Sequence, residues 1–223
     1  MRGEVADNLA KSIGISRDQV VREEYEMIVL KALFEREVGS AFVFKGGTGL
    51  RLAYGSPRFS EDLDFSVVKD FKKAKVDSVL KAVANLHKAL SLVETRQKKY
   101  TYFALFRVEE SFLHLTFSIK FEASTRPVNW KKNRDYELRT LTSRVTSLTV
   151  LAQVATLQQI EQEKITIQPL RIRDIFDLWF IGQRLGKPTQ MDFGRQDAKV
   201  VKRELHKFLP EGERKLLEQW LAE

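Results

Sequence analysis

The chain has 223 residues, 43% of them hydrophobic, enough for a core in one domain or two closely packed subdomains. Lysine and arginine outnumber aspartate and glutamate by 38 to 30, a formal charge of +8 that favours a polyanionic partner. Cysteine is absent, which excludes disulfides and thiolate metal sites and fits a cytoplasmic location. No apolar run is long enough to span a membrane, and recurrent charges at Arg2, Glu4, Asp7 and Lys11 interrupt any signal-peptide core. His87, His114 and His206 are scattered and form no ligand cluster.

In chain order, residues 17 to 38 read as an amphipathic helix, with Val20, Val21, Tyr25, Ile28, Val29, Ala32 and Leu33 at three- and four-residue spacing. An apolar strand at 41–45 runs into Gly46 and Gly47, and Leu50 to Tyr54 continue as a short helix. A second strand covers 62–67. Residues 72 to 90 repeat the helical pattern through Val76, Val79, Leu80, Val83, Leu86 and Leu90. Alternation predicts strands near 91–96, 100–108 and 112–122, and a short one near 136–140, after Pro127 and a basic stretch. From about 147 the chain reads as entirely helical, with breaks at Pro169, Gly186-Lys187-Pro188 and Pro210-Glu211-Gly212. The expected class is α+β: a mixed sheet flanked by helices over 1–146, then a helical part over 147–223 that closes a site between the two.

The residues with chemical potential lie in the first half. On a strand, Asp62 and Asp64 project to one side about 6–7 Å apart, with Leu63 and Phe65 turned the other way. Such oxygen-only ligands suit Mg2+ or Mn2+; a solvated acidic turn is the alternative. Gly46 and Gly47 permit positive φ and close approach of a ligand, and the following helix N-terminus favours an anion. Thr48 can cap that helix or offer its hydroxyl to a phosphate, whereas a plain strand-to-helix turn needs no ligand at all. Arg58 and Ser60 add a charged donor and a hydroxyl, unless Arg58 pairs with Glu61. Trp130, among Lys131, Lys132 and Arg134, can stack on a base or anchor in the core.

Lys45-Gly46-Gly47-Thr48, Leu50-Arg51, Arg58-Phe59-Ser60 and Asp62-Leu63-Asp64-Phe65 resemble the AbiEii-type nucleotidyltransferase toxins, a branch of the DNA polymerase β-like superfamily. Arg171-Ile172-Arg173-Asp174-Ile175-Phe176-Asp177-Leu178-Trp179 is similar to the C-terminal signature of that family. The resemblance spans roughly residues 20 to 185. It implies a nucleotidyltransferase core with the metal ions on Asp62, Asp64 and a third acid, for which Glu122 at a strand end is the candidate. It also implies an NTP substrate cradled by Gly46, Gly47 and Thr48 with Arg58 and Ser60, and a triphosphate-contacting lysine, best matched by Lys164, with Lys45 and Lys120 as substitutes. Asp174 takes a catalytic role by the same resemblance. For Asp177 an intrahelical pair with Arg173 is an equal reading.

The function implied is transfer of NMP from an NTP to an acceptor, with RNA, the tRNA 3′ end included, favoured by the charge. The setting implied is a toxin paired with a cognate antitoxin protein, or a phage-defence system. The alternatives are nucleotidylation of a protein or small molecule, and a non-catalytic nucleic-acid- or partner-binding module on the same fold.

Overall fold

The computed structural model describes residues 1–187, 191–194 and 196–221. Two N-terminal helices, α1 (Gly3–Ile13) and α2 (Arg17–Phe34), lead through a 3-10 turn into β1 (Phe42–Lys45). Then follow α3 (Gly46–Tyr54), β2 (Asp62–Val67), α4 (Lys73–Leu86), β3 (Leu90–Lys98), β4 (Thr101–Val108), β5 (Phe117–Ser124), β6 (Tyr136–Leu141) and β7 (Val150–Ala155). The chain ends in α5 (Leu157–Ile165), α6 (Ile172–Arg184), α7 (Ala198–His206) and α8 (Glu211–Trp220).

The seven strands form one mixed sheet in the order β3-β4-β5-β2-β1-β7-β6. β2 runs antiparallel to β1 and parallel to β5, and β7 runs parallel to β1. The expected α+β class is therefore present. One expectation is corrected: the chain is not entirely helical after 147, because Val150–Ala155 is an inner strand of the sheet. Its outward position 151 is a leucine, 62% exposed, so apolar-polar alternation is weak and its period is hard to tell from that of a buried helix. Residues 112 to 116, expected in a strand, precede β5. Of the break expected at 186–188, Pro188 lies outside the described residues.

One face of the sheet holds an aromatic core. Phe42, Phe44, Phe65, Phe121 and Tyr102 are fully buried, and Phe65 and Phe121 stack with ring centroids 4.4 Å apart. Each such aromatic pair contributes about 0.5–1.5 kcal/mol beyond simple area burial. Because side chains alternate along β2, seating Leu63 and Phe65 in this core obliges Asp62 and Asp64 to face the other side. α6 joins two cores: Phe180 and Ile181 belong to the main one, while Ile172 and Phe176 pack with Val201, Leu205, Leu209 and Leu217 of the C-terminal region.

α2 is buried around most of its circumference, polar residues included. Arg51 pairs with the buried Glu23, and the Arg22 guanidinium donates to the Ser118 carbonyl. Glu26 is 1% exposed and its Oε1 has no partner. Burial, and secondarily the neighbouring Glu23 and Asp62 charges, push its carboxyl well above the usual range against the pull of Arg22 and Arg51. The protonated form therefore favours the fold. That contribution is complete below the ordinary value of 4.5 and is lost as pH rises through the higher folded value. Glu26→Gln, which mimics the neutral acid, should melt above the parent protein at pH 8 by ~1 kcal/mol, with the gap closing toward pH 4 in thermal scans.

Candidate active site

β1 ends at Lys45, and the chain turns through Gly46, whose φ is 74°, directly into α3. A side chain cannot fit here. A Cβ on Gly46 would lie 2.3 Å from Asp64 Oδ2, and one on Gly47 would lie 2.4 Å from the Arg58 guanidinium and 2.8 Å from Ser60 Oγ. Both glycines line a cleft of about 270 Å3 that also contains Asp62, Asp64, Glu122, Lys164 and Asp174. No side chain caps α3, so its first-turn N–H groups are open to an anion in that cleft.

The strand register assembles the acids. Asp64 lies beside Lys45 on β1 and beside Glu122 on β5, so all three side chains share one face. Burial first, then the Asp62 and Glu122 charges, raise the Asp64 carboxyl to about 6, against the pull of Lys45 and Lys164. Lys120 approaches Asp62 at 3.8 Å, too far for a hydrogen bond. The negative charge of the pair is thus only partly compensated, which fits a divalent cation. Among the described residues, no three His, Cys, Asp or Glu side chains converge to hold an ion by themselves. Glu122 is exposed and in register with Asp64 on the neighbouring strand. Magnesium is commonly held by one or two carboxylates together with substrate phosphates, and two strand aspartates suit that mode.

Beneath the acids runs a buried ion network. Arg58, in the loop before β2, is 3% exposed and grips Asp177 of α6 bidentately at 2.8 and 2.7 Å. Lys164 of α5 lies 2.8 Å from Asp177 and 2.8 Å from Asp174. Arg171 completes the series, donating to Asp174 at 2.6 and 3.1 Å. Three cations enclose two carboxylates, a surplus of one positive charge beneath the cleft. Burial opposes ionisation of Asp174, but the Arg171 hydrogen bonds and the Lys164 charge prevail and hold its carboxyl down at about 2. Burial likewise works against Lys164, yet Asp177 and Asp174 keep its ammonium more basic than usual. The stability that Asp174 contributes is present above its ordinary 3.8 and is lost as pH falls through about 2.

These contacts decide several open alternatives. Arg58 pairs with Asp177 and not with Glu61, which instead lies 3.7 Å from both Arg22 and Arg173. The Arg173–Asp177 pair is accordingly not the partnership formed. Thr48 neither caps α3 nor lines the cleft: it is buried, and its hydroxyl donates to the Asp62 carbonyl at 2.7 Å, tying α3 to β2. Lys45 is bound to Glu163 at 2.7 Å, with its ammonium 5.8 Å from the Trp130 ring, and Trp130 packs on the main core. Gly46, Gly47, Arg58, Ser60, Asp62, Asp64, Glu122, Lys164 and Asp174 all meet at the cleft. Glu163 as the anchor of Lys45 was not legible in the sequence; its only signal was its place next to Lys164.

Solved structures share the mixed sheet flanked by helices. JHP933 from Helicobacter pylori superposes with a TM-score of 0.53 at 22% identity, over 76% of this chain and 68% of that one. MenT4, a nucleotidyltransferase toxin from Mycobacterium tuberculosis, gives a TM-score of 0.57 at 20% identity, over 91% of this chain and 68% of the other. At these identities the likeness concerns the fold. No curated relative matches. The family model described as nucleotidyl transferase AbiEii toxin, type IV toxin–antitoxin system, matches residues 28–219, and the chain belongs to that family. It is a nucleotidyltransferase.

Two variants test the arrangement. Gly46→Ala should lower nucleotide transfer about 100-fold by displacing Asp64, and should cost at least the roughly 1–2 kcal/mol of a left-handed alanine in denaturant unfolding. Asp177→Ala leaves Arg58 and Lys164 short of a buried partner and should destabilise by about 3–5 kcal/mol in the same measurement.

Proposed function

We propose that this nucleotidyltransferase is metal-dependent and transfers NMP from an NTP to RNA, the tRNA 3′ end included, as a toxin restrained by a cognate antitoxin protein. The carrying observation is the contact between the Gly46 bend and Asp64, so close that a single methyl group would fill it. A phosphate cradle and a cation-seeking acid pair are adjacent there, which a merely structural turn does not require.

Each residue has a definable task in this reading. The amides at Gly46 and Gly47 hold the triphosphate, with the Ser60 hydroxyl beside them. Asp62 and Asp64 would hold Mg2+ or Mn2+, with Glu122 in register to join them. When bound, such ions neutralise the phosphates and stabilise the leaving pyrophosphate. Lys164 and Arg58, fixed by Asp174 and Asp177, present positive charge that needs no rearrangement as the phosphates react. Asp174 acts by positioning Lys164 and Arg171; the Arg171 side chain, 60% exposed, remains accessible to substrate. α5 and α6 wall the cleft and fit the role of a closing subdomain. RNA as acceptor is supported by the +8 formal charge.

The test uses each α-labelled NTP with total RNA and Mg2+. Label should enter RNA, and Asp64→Asn should abolish incorporation while retaining a cooperative melt. Undiminished incorporation by that variant would remove the acid pair from the chemistry, and label appearing only in protein would reassign the acceptor.

A further inference from the structure

The sheet extends well beyond the cleft, and its far side is open. From Asp64 the register runs through Glu122 on β5 and Phe103 on β4 to Arg96 on β3, all on one face. At roughly 4.8 Å per strand, this row carries the surface about 14 Å away from the acids. Glu122 and Arg96 are exposed and Phe103 is half-exposed. The ring row is flanked by Lys98, whose ammonium lies 5.4 Å from the Phe103 centroid. At the hairpin tip, Tyr100 is 43% exposed, between Lys99 at 5.1 Å and Arg126 at 5.7 Å from its ring.

This surface depends on an irregularity. Leu90 and Leu92 pair with Val108 and Phe106 on the core face, so simple alternation would send Glu94, Arg96 and Lys98 inward as well. A bulge between Leu92 and Glu94 inserts Val93, and beyond it Arg96 pairs with Phe103 and Lys98 with Thr101. The bulge thereby transfers the two cations to the face that bears Asp64. The acids on that face are partly matched, Glu94 by Arg96 at 2.8 Å and Asp62 by Lys120 at 3.8 Å.

We propose that the open face of β3, β4 and β5 seats the single-stranded 3′ end of the RNA acceptor and delivers it to Asp64. Phe103 and Tyr100 offer ring faces to unpaired bases, and Arg96, Lys98, Lys99 and Arg126 meet the phosphates. A duplex cannot use such a platform, because its bases are already stacked; a frayed or overhanging end can. The assignment rests on RNA being the acceptor.

The experiment separates the two ideas. The parent protein and the double variant Arg96→Glu/Lys98→Glu are assayed for label transfer to a short single-stranded RNA, with the melting temperature and NTP binding measured alongside. Both positions are exposed, so the fold and NTP binding should persist. The RNA concentration for half-maximal rate should rise at least tenfold, and the salt dependence of RNA binding should flatten by about one to two charges. A 4-thiouridine at the RNA 3′ region should crosslink to the segment containing Tyr100 and Phe103. Should the parent protein label RNA and the variant match its RNA dependence, the platform is overturned while the RNA acceptor stands. Should the parent label only protein, the acceptor reading fails, and the platform with it.

Discussion

The alternating chain of charges from Arg58 through Asp177, Lys164 and Asp174 to Arg171 is the interaction on which the rest depends. Its members come from the loop before β2, from α5, from the residue preceding α6 and from α6 itself. A buried ion is tolerable only when its partner is present with good geometry, so each of these segments fixes the position of the others. Hydrophobic contact alone would let α6 slide between its two cores. The bidentate Arg58 grip sets its height and rotation, and with them the walls of the cleft.

A second constraint is steric. The main core demands Leu63 and Phe65 on one face, which drives Asp62 and Asp64 to the other, and the Gly46 bend leaves room for them. Thr48 then secures the spacing by bonding the Asp62 carbonyl, so the helix and the acid strand move as one unit. Burial beside a bend that excludes side chains, reinforced by the Asp62 and Glu122 charges, is what raises the Asp64 carboxyl.

Much of this was legible in the sequence because it follows from period-two alternation and turn chemistry. The strand 62–67, the glycine bend and the paired acids could be read from local pattern alone. What escaped was set by contacts distant in sequence. Arg58 finds Asp177 119 positions away, beyond the reach of any local signal. Thr48 has the composition of a phosphate ligand, and its true partner is a carbonyl that only the fold brings near. β7 showed no apolar–polar alternation because its outward position 151 is a leucine, 62% exposed, and the bulge at Val93 inverted the facing of β3 after a regular start.

The placement of β7 has a consequence for how the molecule comes into being. β1, among its most apolar strands, pairs with β2 on one edge and with β7 on the other, and Phe44 meets Val154 in that second ladder. A nascent chain halted before residue 150 would leave that edge of β1 unpaired, an invitation to misjoining with other chains. The last residues to line the cleft, Asp174 and Asp177, emerge later still. The cleft is therefore lined on all sides only once the chain has been made as far as α6.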